Sequence, residues 1–291
     1  MGFWKCHSPS ERLYLCDRRL IPYTAKNRAQ IYNFRPFKIV QVIFLPLLNY
    51  LTLQLVRTNH MKTIAIINAM HKEHEQLAAL LSDASTIKEG RFTFVEGVFN
   101  GRKIVLMESG IGKVNAAVGA VELIHRYHPD ALINTGVAGG IDNCLKVMDV
   151  VAGERVAYHD VDCGPESELG QVQGLPLYYE ADTQLFQAAM SIQPKETTIH
   201  GGLICSGDQF ITSRPQLQKI KDRYPDGLAV DMESGALAQV CFLYQVPFLS
   251  FRIISDTPGA DQHFDQYLNF WDTMADRSFG VTEALLKAIT K

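Results

Sequence analysis

From residue 61 to the C-terminus, short apolar runs alternate with stretches whose apolar residues recur every three or four positions. Residues 63–69 form a continuous apolar run, as a strand covered on both faces requires. Residues 71–82 follow with Leu77, Leu80 and Leu81 on one side of an expected helix. Residues 91–98 and 103–108 flank Asn100-Gly101, a dipeptide that suits the two positive φ angles of a tight hairpin. Residues 113–127 carry Val114, Ala117, Val118, Val121 and Ile124 at helical spacing and stop before Pro129. A strand at 131–135 runs into Gly136-Val137-Ala138-Gly139-Gly140. Further strands are expected at 149–158, 201–205 and 247–254, with a helix at 235–244 and one long closing helix at 264–289. Strands alternating with helices predict an α/β fold: a single domain with a central mixed, mainly parallel β-sheet, flanked by helices on both faces.

The first sixty residues do not share this pattern. They hold nine Lys or Arg against Glu11 and Asp17, a net of +7, whereas the whole 291-residue chain carries −3 and the remainder therefore −10. The apolar run 39–56 is interrupted by Gln41, Pro46, Asn49, Thr52 and Gln54, a poor match to the ~20 apolar residues of a spanning helix. It also begins too far along for the core of a signal peptide. Residues 1–60 thus read as an extension the fold does not need, and 61–291 as the functional domain. An acidic main body lacks the basic face that nucleic acid requires. Six cysteines without CxxC spacing read as reduced thiols in a cytoplasmic protein.

Candidate chemistry lies where apolar runs end in charge. Ala229-Val230-Asp231-Met232-Glu233-Ser234-Gly235-Ala236 places a carboxylate beside a Met at the start of an apolar helix. Phe251-Arg252-Ile253-Ile254-Ser255-Asp256 ends a buried strand in Arg, Ser and Asp. The carboxyl ends of strands are where open α/β sheets bind ligands. Glu73, just after the first strand, reads by spacing alone as an acid stabilised by its helix N-terminus rather than as a catalytic group. Arg252 is equally a structural ion-pair partner of Glu233.

Several motifs fail on inspection. Gly110-Ile111-Gly112-Lys113 is no phosphate loop, because Met107 stands where the first Gly belongs and Val114 where Ser or Thr belongs. Its glycines still allow close backbone approach to a ligand at a helix start. Gly136-Val137-Ala138-Gly139-Gly140 lacks dinucleotide spacing and reads as a tight turn against a ligand. His71-Lys72-Glu73-His74 and His159-Asp160-Val161-Asp162-Cys163 do not converge as metal ligands, and no G-x-S-x-G elbow occurs. No metal and no organic cofactor are expected.

Six segments, taken together and in order, resemble the 5′-methylthioadenosine/S-adenosylhomocysteine nucleosidases within the purine nucleoside phosphorylase superfamily. They are Ile64-Ala65-Ile66-Ile67-Asn68-Ala69-Met70 with Glu73, Ser109-Gly110-Ile111-Gly112-Lys113-Val114-Asn115-Ala116-Ala117, Asn134 to Gly140, Ser206-Gly207-Asp208-Gln209-Phe210-Ile211, Val230-Asp231-Met232-Glu233, and Arg252-Ile253-Ile254-Ser255-Asp256. The resemblance covers about residues 61–290 and implies a nucleoside phosphorylase-like fold that hydrolyses an N-glycosidic bond, releasing adenine from a 5′-thio-substituted adenosine. It implies that Asp256 donates a proton at the purine, with a pKa raised by burial, and that Glu73 deprotonates the attacking water. By the same resemblance Glu233 accepts the ribose hydroxyls, Arg252 holds Glu233, and Met232 packs on the ribose. Ser255 belongs to the binding set; Phe210 stacks on the purine and the Ile211 backbone reads its edge. Ala138 and Gly139 line the base side, and Ile111 and Phe264 wall the 5′-thio pocket.

The chain departs from the family pattern at Val137, where many relatives carry Ser or Thr, at Cys163-Gly164-Pro165-Glu166-Ser167-Glu168, which replaces an aromatic run, and at Gln209. Substrate preference is therefore read less directly than reaction type. A phosphorylase, a nucleosidase for another 6-amino purine nucleoside, and a non-catalytic nucleoside-binding protein stand as alternatives. The expected partners are a small nucleoside and, from the resemblance, a second copy of the chain; neither nucleic acid nor a membrane is expected.

Overall fold

The computed structural model describes residues 62–195, 197–257, 263–273 and 275–291, without the side chains of 263, 264 and 271–279. Within the first sixty residues it describes only a pairing of Leu15–Cys16 with Arg19–Leu20. The chain divides into two compact units, Met1–Asn59 and His60–Lys291, and the large sheet and its helices belong to the second. The apolar run 39–56 lies outside the described residues. No described helix is long and apolar enough to cross a membrane.

The elements of this second unit, in order, are β1 (Thr63–Asn68), α1 (His71–Ala78), β2 (Ser82–Glu89), β3 (Phe92–Phe99), β4 (Arg102–Glu108), α2 (Lys113–Tyr127), β5 (Ala131–Gly140), β6 (Val150–Tyr158) and β7 (Tyr179–Glu180). They continue with α3 (Thr183–Met190), β8 (Ile199–Ser206), α4 (Arg214–Arg223), β9 (Gly227–Asp231), α5 (Ser234–Tyr244), β10 (Phe248–Asp256), α6 (His263–Thr273) and α7 (Ala275–Ile289). The sheet order is β9-β8-β6-β10-β5-β1-β4-β3-β2, with β7 beside β6. It is mixed: β1 runs parallel to β4 and β5, and β10 runs parallel to β5 but antiparallel to β6.

Strand β5 does more than sit in the middle. Its last residues, Gly139 and Gly140, pair antiparallel with Val230 and Ala229 of β9. Strands β5, β10, β6, β8 and β9 therefore close a ring, in which β6 runs antiparallel to β10 and β9 antiparallel to β5, so that the ends of β5, β9 and β10 meet. Two apolar layers cover the sheet, as the alternation of a strand demands. Ala65, Ile67, Val105, Met107 and Leu132 face α2 and α5. Ile64, Ile66, Ile104, Leu106 and Phe251 face α1, α3 and α7.

Three expectations need correction. The helix after β1 ends at Ala78, and Ser82–Glu89 is a strand bonded only to β3. That strand is polar and exposed on both faces, a protected sheet edge, so it has no apolar alternation to read. The sheet is more evenly mixed than mainly parallel. Finally, α2 has its expected bounds but turns another face inward: Ala116, Gly119, Ala120, Leu123 and Ile124 are buried, whereas Val114 and Val118 are 73% and 49% exposed. The hairpin, by contrast, forms with Asn100 at φ 48° and Gly101 at φ 74°, and Phe99 pairs with Arg102.

Leu123 is fully buried in the layer under α2. Leu123→Ala should lower the unfolding free energy by about 2–5 kcal/mol in urea titrations; a loss below about 1 kcal/mol would contradict the inward face described for this helix.

Candidate active site

Where the ends of β5, β9 and β10 meet lies a cleft that encloses ≈ 620 Å³, its open mouth included. Strand ends build most of it. Ala69 and Met70 follow β1; Val137, Ala138 and Gly139 come from β5; Val230 and Asp231 end β9, followed by Met232 and Glu233; Arg252, Ser255 and Asp256 end β10. Glu73 enters from α1, Ile111 from the loop before α2, Gln209, Phe210 and Ile211 from the loop after β8, and Tyr267 from α6. Every expected site residue thus lines one cavity except Phe264, whose side chain lies outside the described residues. Tyr267, three residues on, and Asp231 line it without having been anticipated. None of residues 163–168 does.

The centre of the site is a buried guanidinium. Arg252, 2% exposed, places Nη2 at 2.8 Å from both Glu233 Oε2 and Asp231 Oδ2. Its Nη1 donates to Asn134 Oδ1 at 3.1 Å and to the Thr135 carbonyl at 3.3 Å. Burial works against the charge on Arg252, but Asp231, Glu233 and Glu73 more than offset it, so its pKa lies above the ordinary value. Asp231 is held in turn by the Ser234 backbone N–H at 3.0 Å and hydroxyl at 2.5 Å. Glu233 is fixed from its other oxygen, where Oε1 accepts the Gly112 N–H at 3.0 Å. Burial raises its pKa, Asp231 adds to the rise and Arg252 opposes it.

Glu73 is the third residue of α1 and folds back toward the sheet. Oε2 accepts the Met70 N–H at 3.2 Å, closing the helix start, and Oε1 accepts the Val137 N–H at 3.1 Å. The residue as a whole is only half-buried, but its carboxylate faces inward, and the loss of water there dominates its titration. Burial pushes its carboxyl up to about 7, against the pull of Arg252 and the two N–H groups. Such a close approach needs a glycine at 136: with φ at 145°, an added Cβ would stand 2.7 Å from Glu73 Oε1 and 2.9 Å from Arg252 Nη1. The departure at Val137 leaves this contact intact, because the donor is backbone.

Asp256, 3% exposed, follows a register shift in β10 against β5, and Ser255 Oγ donates to its Oδ1 at 2.7 Å. Across the cavity Phe210 is 44% exposed and meets Tyr267 edge-on, with ring centroids 5.5 Å apart. The Tyr267 hydroxyl reaches Met70 Sδ at 3.7 Å. A partly exposed aromatic face, an apolar wall and buried carboxylates in one cavity suit a small molecule that is flat and apolar at one end and hydroxylated in the middle.

A ring-closed mixed sheet with acids at its strand ends defines a member of the phosphorylase superfamily, whose family model matches residues 63–287. Two relatives narrow this. The 5′-methylthioadenosine/S-adenosylhomocysteine nucleosidase of Chromohalobacter salexigens is 40% identical over 232 residues, 79% of this chain and 98% of that protein. The nucleosidase of the same description from Staphylococcus aureus is 38% identical over 78% of this chain and 100% of its own length. The chain belongs to the 5′-methylthioadenosine/S-adenosylhomocysteine nucleosidase family. Among solved structures, the nucleosidase of Neisseria meningitidis in complex with methylthio-immucillin-A superposes with a TM-score of 0.74 at 37% identity, covering 78% of this chain and 99% of that one. The Colwellia psychrerythraea nucleosidase in complex with adenine gives 0.74 at 33% identity, over 79% and 96%.

The Glu73 environment has a measurable signature. Its carboxyl titrates near 4.5 when unfolded and about 7 when folded, so the folded state holds the extra proton between those values. The stability this adds is complete below about pH 4.5 and is lost as pH rises through about 7. Wild type should therefore lose stability relative to Glu73→Gln across that window, and the difference should level off above it. A pH-independent difference in paired urea titrations would show an unperturbed carboxyl.

Proposed function

We propose that the chain hydrolyses the N-glycosidic bond of 5′-methylthioadenosine and S-adenosylhomocysteine, releasing adenine and a 5-thio-substituted ribose. The observation that carries the reading is the charge around the cavity. Four carboxylates line it, those of Glu73, Asp231, Glu233 and Asp256, against one cationic side chain among its described residues, Arg252. Both Arg252 amino groups are engaged by Asp231, Glu233, Asn134 and the Thr135 carbonyl. Phosphate would meet repulsion here, whereas water beside Glu73 meets a base poised near neutrality.

The reaction follows from these placements. Adenine leaves poorly as an anion, so the Asp256 carboxyl, oriented by Ser255, gives a proton to purine N7 as the bond from C1′ to N9 breaks and its electron pair moves into the ring. Positive charge grows on the ribose as in other glycoside cleavages. Glu233 accepts from the ribose hydroxyls, and its negative charge stabilises that cation. Water attacks C1′ from the opposite face while Glu73 removes its proton; exchange with solvent then restores both carboxyls. Phe210 stacks on the purine, the Ile211 backbone reads its edge, and Ala138 and Gly139 line its side. Met232 packs on the ribose, and Ile111 walls the 5′-thio group, whose desolvation favours binding by about 25 cal/mol per Å².

We assign this activity to residues 61–291 and none to residues 1–60, and place it in the cytoplasm. The four cysteines among the described residues, Cys144, Cys163, Cys205 and Cys241, are free thiols, as that setting favours. The working unit is a homodimer. Helices α2 and α5 pack together and turn Val114, Val118, Phe242 and Leu243 toward solvent, an apolar face suited to a second copy.

Two measurements test the reading. Adenine release from methylthioadenosine should proceed without phosphate and yield the free thio-ribose. Glu73→Gln and Asp256→Asn should each lower kcat by about 10²–10⁴-fold with the fold retained. Dependence on phosphate would make the chain a phosphorylase. Release only from a different 6-amino purine nucleoside would change the substrate, and binding without release would make it a nucleoside-binding protein. Separately, wild type should sediment at twice the 32.6 kDa of one chain and Val118→Asp as a monomer; a monomeric wild type would remove the dimer.

A further inference from the structure

Beside the cavity, three charged residues close a small ring that the reaction itself does not use. Lys113, the first residue of α2, places Nζ 3.0 Å from Asp160 Oδ1 and 2.8 Å from Asp160 Oδ2. Asp160 Oδ2 also accepts the Asp208 N–H at 2.8 Å. Asp208 Oδ1 in turn accepts the Lys113 N–H at 2.8 Å, completing the circuit. The Lys113 ammonium further lies over the Tyr158 ring, 5.3 Å from its centroid. This pair is partly sheltered, with side chains 25% and 14% exposed, so it is less screened than an open surface pair.

What the ring joins gives it meaning. The start of α2 has no capping side chain of its own, since Gly112 occupies the cap position. Two successive N–H groups there go to acids from different parts of the site: Gly112 N–H to Glu233 Oε1 and Lys113 N–H to Asp208 Oδ1. Both acids sit where the helix dipole favours negative charge. Asp208 lies in the loop that carries Phe210 and Ile211, while Glu233 follows β9. A side chain at 112 would crowd the arrangement, its Cβ standing 3.1 Å from Asp208 Oδ1.

We propose that Lys113, Asp160 and Asp208 form a positioning latch that ties the purine wall Phe210–Ile211 to the ribose acid Glu233 through the start of α2. The proposal rests on the roles assigned above to Phe210, Ile211 and Glu233, and it adds residues that touch neither base nor sugar. Cleavage needs both ends of the nucleoside held in one geometry, and a small displacement of one relative to the other is costly. Adenine alone needs only the wall.

The test pairs turnover with binding and amide hydrogen exchange on the full chain. In Lys113→Met and Asp208→Ala, kcat/KM for methylthioadenosine should fall by about 10-fold to 100-fold, while the dissociation constant of adenine stays within about three-fold of wild type. Asp208→Asn keeps a carbonyl acceptor for the Lys113 N–H and should recover most of the loss. Exchange at the Gly112 and Asp208 amides should quicken together in Lys113→Met. Turnover within two-fold of wild type in folded Lys113→Met and Asp208→Ala would overturn the latch. So would adenine affinity falling in step with turnover, which would make these residues part of the base site alone. Should wild type release no adenine from methylthioadenosine, the functional reading fails by itself, and unchanged exchange at both amides in Lys113→Met would still refute the latch.

Discussion

A guanidinium buried at the end of a strand organises this molecule. An isolated charge taken out of water costs far more than any single contact returns, and it persists only where opposite charge and hydrogen bonds surround it. Arg252 meets that demand with Asp231, Glu233, Asn134 and the Thr135 carbonyl, drawn from β9, its following turn and β5. The requirement runs both ways. Asp231 and Glu233 are themselves almost fully buried and would be equally costly without the cation. Glu73 stands close enough to feel that charge yet spends both oxygens on backbone N–H groups, so burial governs its titration. One cation shared among several acids leaves an electron-rich cavity, which favours a substrate that becomes positive as it reacts.

The fold supplies this arrangement by turning strand ends toward one another. Because β5 pairs with β1 and β10 along its length and with β9 at its tip, it brings Val137, Ala138 and Gly139 against residues from both halves of the unit. Much of the specificity is carried by backbone. Val137 N–H and Gly112 N–H hold the two acids whatever side chains stand there, provided the chain can pass close by. That is why the glycine at 136 matters more to the site than the change to Val at 137.

Much of this was legible in the order of residues, and what was hidden was hidden for physical reasons. Asn100-Gly101 specified its hairpin because the turn has few chemical solutions. The bounds of α2 were readable from its spacing and from Pro129, but its inward face was not, since small residues such as Gly119 and Ala120 do the packing while Val114 and Val118 face out. Strand β2 has no apolar period because both of its faces meet water. The run of acids and apolar residues around Met232 and Ser255 pointed to a site, yet Asp231 gave no separate signal; Arg252 meets it and Glu233 alike, and only the fold shows that Ser234 holds the one and Gly112 the other. Glu73 is the sharpest case. By spacing it is an ordinary helix-start acid, and it does serve that purpose toward Met70, but its second oxygen reaches a residue 64 positions away.

The pairing of Gly139 and Gly140 with Val230 and Ala229 joins segments 91 and 89 positions apart in the chain. Closing a loop of that length has an entropic cost that must be met before the contact gives anything back, so such pairings form late. Hairpins and helices can assemble locally, but Asp231 and Glu233 reach Arg252 only once β9 has docked on β5. A refolding chain should thus recover helical circular dichroism before it recovers catalysis. During that interval a sheet with an unsealed edge is open to pairing with another chain. The closure that makes the site is therefore also the step at which new protein is most exposed to aggregation.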